Sequence, residues 1–184
     1  MAEEFTYQQK LTPYEITPER REFLLSRGSE CAVVWTTAEG WPVGVMHNYI
    51  WKDGRFWVQC TTGRSRVAAM SARPHTSIIF AADDQQTITA KTIAHLHRAG
   101  TPHGKWFFEA IGRLCLPLQM GVSEITQEHI DTFIKQTDTP DRVIIEFEPV
   151  KWITFDGRKV KAHLNGRWSP DQPWSEGIVY KGAM

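Results

Sequence analysis

The residues of this sequence best suited to chemistry lie in one polar stretch, residues 59–74, which reads QCTTGRSRVAAMSARP. The stretch combines arginines, hydroxyl side chains and a glycine, and it follows a run of aromatic and β-branched residues. A phosphate monoester is held by such groups when hydroxyls, free backbone N–H groups and cationic side chains converge on one point. The stretch therefore indicates either a phosphate site or an ordinary helix start with solvated arginines.

The position of this stretch in the chain favours the phosphate interpretation. Residues 55–61 predict a strand, and residues 64–72 predict a helix that stops before Pro74, because proline does not continue a helix. At a junction of this kind the N–H groups of the first helical turn lack partners and the helix dipole favours an anion. The candidate phosphate ligands are Thr61, Thr62, Gly63, Arg64, Ser65 and Arg66.

The histidines suit metal binding in type but not in spacing. His95 and His97 would face the same side of a strand, because side chains alternate along a strand, and His103 follows nearby. No third ligand stands at a firm spacing, so no metal site is predicted and the three histidines are expected to line a pocket or the surface. His47 lies within a predicted strand, where the sequence fits both a core histidine and a ligand contact.

The elements around these residues predict an antiparallel β structure with helices between the strands. Residues 31–37, 43–51 and 55–61 are expected to form a three-stranded meander, because short turns join them. Further strands are predicted over residues 76–82, 87–97 and 142–160, the last broken near Pro149. Helices are predicted over residues 17–26, with Thr17 as N-cap and Pro18 in the first turn, over 64–72 and over 123–136. Residues 105–116 have a helical pattern, but the fold of residues 98–120 is left open.

Length and composition indicate one globular domain. With 184 residues the chain can bury a single core, and we expect one domain over residues 1–184, with residues 1–16 and 162–184 as peripheral arms. The fold class is α+β, mainly antiparallel, around a small barrel. The 21 Lys and Arg residues balance the 21 Asp and Glu residues, which excludes a global field that would attract nucleic acid or an anionic membrane.

The same data predict a soluble, cytoplasmic protein. No apolar run approaches the roughly 20 residues that cross a bilayer. The first residues are acidic and polar, unlike a signal peptide. The three cysteines are widely spaced and form no paired motif, which favours free thiols in a reducing compartment.

The succession of motifs from Gly40 to Phe80 resembles the split-barrel flavin-binding family related to pyridoxamine 5′-phosphate oxidase. The matching pieces are a Gly-Trp-Pro turn, a strand, an Asp-Gly turn before an aromatic strand, the polar loop, a short helix ending in proline and a Ser-Ile-Ile strand. They lie at residues 40–42, 43–51, 53–58, 61–66, 73–74 and 77–79. Residues 142–147 and 155–158 also resemble the last strands of the family. The resemblance is strongest over residues 31–82 and absent from the tail after residue 162.

This resemblance implies a split β-barrel of about six or seven strands with peripheral helices, and FMN bound at the interface of a homodimer. It implies that Arg66 holds the cofactor phosphate together with Thr61, Thr62, Arg64 and Ser65. The flavin ring would lie along the second strand, and a polar residue early in the fifth strand would reach it from one subunit or its partner. The ring contacts implied in this way are Val45, Met46, His47, Asn48, Gln86 and Thr87.

No catalytic side chain is visible, which fits a flavin enzyme because the cofactor carries the hydride chemistry. The resemblance thus implies an FMN-dependent oxidoreductase that acts on a small, unidentified substrate. Ser65-Arg66 stands where the family's oxidases often have an Arg-Lys pair, and their C-terminal substrate residues have no counterpart here. The alternatives are a deazaflavin-dependent reductase, a protein that uses FAD or haem, and a flavin- or haem-binding protein without turnover.

Overall fold

The computed structural model describes residues 12–82, 85–98 and 100–178, and its centre is one antiparallel sheet of seven strands. The order of the strands across the sheet is β2-β1-β5-β6-β7-β4-β3. The two edge strands, β2 and β3, are consecutive in the chain, so the chain links the two edges of the sheet at Tyr49. The strands are β1 Glu30–Thr36, β2 Pro42–Asn48, β3 Ile50–Lys52, β4 Arg55–Thr61, β5 His75–Ala82, β6 Gln86–Arg98 and β7 Arg142–Asp156.

Helices pack around this sheet; one of them begins at the predicted cap, Thr17, whereas the helix expected from residue 123 begins at Gln127. Thr17 accepts a hydrogen bond from the backbone N–H of Arg20, and Thr126 forms a capping box with His129. Of the helices in the described residues, none is long and apolar enough to cross a bilayer. The helices are α1 Pro18–Arg27, α2 Ser65–Ala72, α3 His103–Met120, α4 Gln127–Thr137 and α5 Gly157–Leu164.

Two hydrophobic clusters hold these elements together. The larger cluster lies on the inner face of the sheet, where alternate residues of β1, from Cys31 to Trp35, are buried with residues such as Val58 and Phe147. The smaller cluster lies on the outer face of β4 and β7, where α3 covers Trp57 and Ile144. The sheet therefore has one face around the main core and an outer face that α3 covers only in part.

The predicted three-stranded meander is wrong. Residues 43–51 form two strands that meet at Tyr49, which is 1% exposed and donates from its hydroxyl to the carbonyl of Leu25 at 2.9 Å. β2 pairs with β1, and β3 pairs with β4, so two hairpins stand at opposite edges of the sheet. The predicted tight turn within the second hairpin is confirmed, since Asp53 and Gly54 both have positive φ, 54° and 72°.

The predicted break at Pro149 is also wrong. β7 continues through this residue, because a bulge leaves Val150 between the partners of Lys91 and Thr92: Lys91 pairs with Lys151, and Thr92 pairs with Pro149. A bulge absorbs one extra residue and interrupts the ladder locally, so the missing N–H of proline does not end the strand. After Asp156 the chain forms α5, not the strand expected up to residue 160.

The α+β class and the helical pattern of residues 105–116 are confirmed, since α3 spans His103–Met120. Of the expected peripheral arms, residues 1–11 and 179–184 lie outside the described residues. In the described parts of these arms, Ile16 and Trp168 are buried, each with 4% of its surface exposed.

Candidate functional site

The predicted phosphate stretch forms the junction between β4 and α2. β4 ends at Thr61 and α2 begins at Ser65. The backbone N–H of Thr62 donates to the carbonyl of Asp141 at 2.7 Å, which ties the turn to the start of β7. Arg64 is the N-cap of α2, and its side chain makes no capping hydrogen bond. The junction therefore presents a helix start without a side-chain cap, next to exposed hydroxyl and guanidinium groups.

Arg66 and His47 have unused hydrogen-bonding capacity beside this junction. Among the described residues, the Nε of Arg66 and the Nε2 of His47 are both buried and have no hydrogen-bond partner. His47 lies on β2 opposite Cys31, so it shares the inner face with that core residue. Burial, together with the positive charge of Arg66, lowers the pKa of His47 to about 4. A buried polar group without a partner costs about 1–3 kcal/mol, so an acceptor that reaches these nitrogens would remove that cost.

Three arginines, which we call the arginine cluster, surround the end of β4. Burial raises the pKa of the Cys60 thiol, and the charge of Arg66, a hydrogen bond from its side chain, and the charges of Arg64 and Arg142 oppose that rise. All three arginines therefore lie within electrostatic reach of this thiol. Arg142 pairs across the sheet with Thr61. Its Nη1 donates to the Oε1 of Gln59 at 2.7 Å, and its Nε is buried without a partner among the described residues. A chain without net charge thus concentrates positive charge at one place.

The four residues predicted along the flavin ring lie on β2, but they alternate between its two faces. Val45 and His47 share the inner face with Cys31, whereas Met46, 64% exposed, and Asn48 lie on the outer face. β2 is an edge strand, so its backbone groups on the side away from β1 have no strand partner in the sheet. A ring against β2 would contact alternate side chains and this backbone edge, not all four side chains at once.

The structure places the two predicted residues of β6 apart from the junction. Gln86 is 1% exposed; its Oε1 accepts a hydrogen bond from Arg20 at 2.8 Å, and its Nε2 donates to Asp156 at 3.2 Å. Thr87 is exposed on the outer face, in register with Ala81. The structure therefore brings Thr61, Thr62, Arg64, Ser65, Arg66 and His47 together, whereas Gln86 belongs to a separate buried network.

The histidines of β6 have carboxylate partners on β7. The Nε2 of His97 lies 2.7 Å from a carboxylate oxygen of Glu146, and the Nε2 of His95 lies 3.1 Å from one of Glu148. The ring of His103, on α3, lies 4.7 Å from the ring of His97, measured between centroids. In the part of the chain that the structure describes, no three metal-ligating side chains are grouped so as to hold an ion.

An apolar row crosses the outer face of the sheet. Paired residues on five adjacent strands form it: Met46, Ala32, Ile79, Thr89 and Ile153, in strand order. Met46, Ile79 and Ile153 are 64%, 42% and 52% exposed. Large apolar side chains that stay exposed on one face of a sheet are typical of contact surfaces. The row starts on β2, the strand predicted to hold the ring.

Comparison with known proteins finds solved structures with a similar fold, but no match by sequence. No protein-family model matches the chain, and no curated protein matches it significantly. A conserved hypothetical protein from Mycobacterium tuberculosis matches with a TM-score of 0.67 at 12% identity, over 92% of this chain and 99% of that one.

Two further solved structures carry descriptions of what they bind. A pyridoxamine 5′-phosphate oxidase-related, FMN-binding protein from Nostoc punctiforme matches with a TM-score of 0.53 at 11% identity, over 78% of this chain and 86% of that one. The haem-storage protein HutZ from Vibrio cholerae matches with a TM-score of 0.55 at 13% identity, over 77% and 95% of the two chains. At sequence identities of 11–13%, this structural similarity shows a shared fold and no more.

Proposed function

We propose that this chain, which has the split-barrel fold of the pyridoxamine 5′-phosphate oxidase-like proteins, binds FMN at the β4–α2 junction and acts as a flavin-dependent oxidoreductase on a small substrate. The resemblance drawn from the sequence is confirmed for the fold. The cofactor, the reaction and the site residues are the proposal, and the residues of the junction support it.

The observation that carries the proposal is the pair of buried nitrogens without partners, the Nε of Arg66 and the Nε2 of His47. A phosphate oxygen would accept a hydrogen bond from the Nε–H of Arg66, while another would accept from the free N–H groups at the start of α2. The hydroxyls of Thr61 and Ser65 offer further donors at the same junction. The residues present thus fit a phosphate group.

The charges around the junction also fit a dianion. The charges of Arg64, Arg66 and Arg142 all act on the thiol of Cys60, so the three guanidinium groups lie near the same point of the fold. Two arginine charges can balance a phosphate dianion, and the third would leave the site attractive to the incoming cofactor. His47 stays neutral above its low pKa, and a neutral imidazole can donate from Nε2 when its proton lies there.

The backbone of β2 would hold the rest of the cofactor. Its unpaired edge offers N–H and C=O groups, which suit the alternating donors and acceptors on the pyrimidine side of a flavin ring. A bound flavin would supply hydride transfer, and the chain would bind it, orient it and shield it from water. This division explains why an oxidoreductase of this kind needs no catalytic acid or base in the sequence.

We also propose that the apolar row is the interface of a homodimer. A second copy would cover Met46, Ile79 and Ile153, and the row's start on β2 would put the interface beside the ring. Changing Ile79→Lys should shift the mass measured by light scattering from dimer to monomer, because a charge would be buried in the contact. Leu164→Lys, on an 82% exposed side chain of α5, is the matched control and should stay dimeric. A monomeric wild-type protein would refute this interface.

The absorption spectrum of the purified protein tests the cofactor. We expect oxidised-flavin bands, with the pigment released as FMN when the protein is denatured. The stripped protein would then be offered FMN, FAD, the deazaflavin cofactor and haem in turn. Uptake of another of these with no uptake of FMN would contradict the proposal. Oxidation of a nicotinamide donor by the reloaded protein, with a dye as acceptor, would support an enzyme, whereas tight binding without turnover would support a carrier.

A further inference from the structure

A second basic cleft opens between α1 and the ends of β1 and β5, with a volume of about 570 Å³. Its lining includes Arg20, Phe23 and Arg27 from α1, together with Ser29 and Phe80. It shares no lining residue with the β4–α2 junction. We propose that this α1 cleft binds a small organic anion, a carboxylate on an aromatic or aliphatic body, and that Arg20 holds the anionic head.

Arg20 is the donor in the cleft that the fold leaves unused. Its Nε is buried and has no hydrogen-bond partner among the described residues. Its Nη2 donates to the buried Oε1 of Gln86 at 2.8 Å, and Gln86 in turn donates to Asp156 at 3.2 Å. The guanidinium is thus held in place from one side, and its Nε–H has no acceptor among the described residues. A donor that is already oriented loses little entropy on binding.

The positive charge of Arg20 has no carboxylate of its own in the described part of the chain. No ion pair found there includes Arg20. Its charge contributes to the lowered pKa of Glu176, where burial opposes the lowering and the hydrogen bond from Arg158 favours it. That carboxylate already accepts a hydrogen bond from Arg158 at 2.6 Å. A ligand carboxylate would therefore supply the partner that Arg20 lacks.

Phe23 gives the cleft an apolar wall between two cations. The guanidinium carbons of Arg20 and Arg27 lie 5.1 Å and 5.2 Å from the centroid of its ring. The helical spacing explains this arrangement, because residues three before and four after Phe23 share its face of α1. The ring is 46% exposed, and Phe80, 7% exposed, is also among the residues that line the cleft. An apolar body fits beside these rings while its carboxylate meets Arg20.

The cleft favours a monoanion over a dianion. Glu30 is also among its lining residues, so within the described lining two arginines face one carboxylate. Arg27 also complements the negative end of the α1 dipole, which reduces its net attraction for a second ligand charge. A monocarboxylate matches this balance better than a phosphate monoester does.

The cleft lies beside the strand predicted to hold the flavin ring. The carbonyl of Ser29, one of its lining residues, accepts a hydrogen bond from the side-chain amide of Asn48 at the end of β2. Binding in the cleft nevertheless requires no cofactor, because Arg20, Phe23 and Arg27 all belong to α1.

Titration of the full-length protein with benzoate, followed by NMR of ¹⁵N-labelled arginine side chains, tests the site. We expect a saturable shift of the Nε–H signal of Arg20, and at least about tenfold weaker benzoate binding in Arg20→Gln, as for loss of a charge-assisted hydrogen bond. Arg27→Gln should weaken binding less. The matched control is Arg21→Gln, which removes the same charge from the same helix. The guanidinium carbon of Arg21 lies 4.3 Å from the ring centroid of Trp152, so this variant should bind benzoate as the wild type does. Phenyl phosphate, with the same ring, should bind more weakly than benzoate.

Two results would overturn the inference. One is benzoate saturation without a shift at Arg20; the other is wild-type affinity in an Arg20→Gln protein whose melting curve shows that it is folded. Arg66→Ala separates this site from the proposed cofactor site, because it should leave benzoate affinity unchanged even if it abolishes FMN binding. Competition between FMN and benzoate, with both weakened by Arg66→Ala, would assign the cleft to the cofactor and refute a separate site.

Discussion

Two arginines with buried nitrogens, Arg158 and Arg66, differ in whether the fold supplies their partners. Arg158 is 3% exposed; it donates to Asp156 from Nε at 2.8 Å and from Nη2 at 2.6 Å, and to Glu176 from Nη1 at 2.6 Å. Burial lowers its pKa, but the hydrogen bonds to Asp156 and Glu176 more than offset this and raise it. Arg66 has a buried Nε without a partner among the described residues, and its charge acts on His47 and on the thiol of Cys60, with which its side chain also forms a hydrogen bond.

The difference separates structural polar groups from those available to a ligand. A buried charge with complete partners is part of what the native state needs, because removing either partner leaves the other uncompensated. A buried donor without a partner lowers stability, and folds retain such groups where a ligand or water supplies the acceptor. The Arg158 network and the Arg66 junction should therefore respond in opposite ways to mutation.

The largest expected effect is on stability, from Arg158→Met. The substitution leaves the buried Asp156 carboxylate without its bidentate partner, and we expect the free energy of unfolding to fall by about 3–5 kcal/mol. Urea unfolding followed by tryptophan fluorescence measures this loss. Asp156→Asn combined with Arg158→Met should recover part of it, because the uncompensated charge is then absent. A loss below about 1 kcal/mol would show that the network contributes no more than a surface pair.

The variant Gln86→Leu tests whether Gln86 belongs to the structural network, as Arg158 does, or contacts the cofactor, as proposed for Arg66. The change removes the bridge between Arg20 and Asp156 while keeping similar volume, and we expect a loss of about 1–3 kcal/mol in stability. FMN affinity should change little if Gln86 serves only the buried network. Unchanged stability together with lost FMN binding would instead make Gln86 a cofactor contact.

Arg66→Met should have little effect on the cofactor-free protein. The substitution removes an Nε donor that the described structure leaves unpaired, together with a hydrogen bond to the Cys60 thiol, so the free energy of unfolding should rise or stay within about 1 kcal/mol. The same urea experiment applies, with Arg158→Met as the contrasting variant. A loss as large as that of Arg158→Met would mean that Arg66 has a structural partner and that the comparison fails.

The last effect concerns pH and His47. Burial and the charge of Arg66 hold its pKa at about 4 in the folded protein, against about 6.5 in an unfolded chain. Between these values the unfolded chain binds a proton that the folded protein does not, so stability contributed by neutral His47 is lost as pH falls from about 6.5 towards 4. His47→Gln should reduce this slope in melting temperature against pH. A bound phosphate should also reduce it, because an anion would offset the charge of Arg66; equal slopes in all three samples would contradict the arrangement.

Local signals in the sequence predicted much of the fold. Thr17 and Pro18 mark the start of α1, Asp53-Gly54 marks the hairpin turn, and the strand-to-helix junction at residues 61–66 lies where the polar stretch indicated it. Each of these depends on a few consecutive residues, whose backbone preferences and hydrogen-bonding groups decide the local structure.

The rest depended on contacts between distant residues. The alternation of residues 43–52 continues through Tyr49, so only the packing of its ring under α1 shows that two strands are present. The partners of Gln86 are 66 and 70 residues away in the chain, and Arg142 reaches the end of β4 only through the register of β7. No sequence pattern shows that the buried nitrogens of His47 and Arg66 lack partners, because that property belongs to the packed structure.

The measurement that tests the central claim most directly is an equilibrium titration of stripped protein with FMN, in the wild type, Arg66→Ala and Arg73→Ala. Arg73 lies at the opposite end of the same short helix, where its Nε donates to the carbonyl of Thr36 at 3.2 Å. We predict saturable binding to the wild type and to Arg73→Ala with similar affinity, and binding at least about tenfold weaker in Arg66→Ala. Equal affinity in the wild type and Arg66→Ala would contradict the phosphate anchor, and no binding of FMN to any of the three would contradict the cofactor.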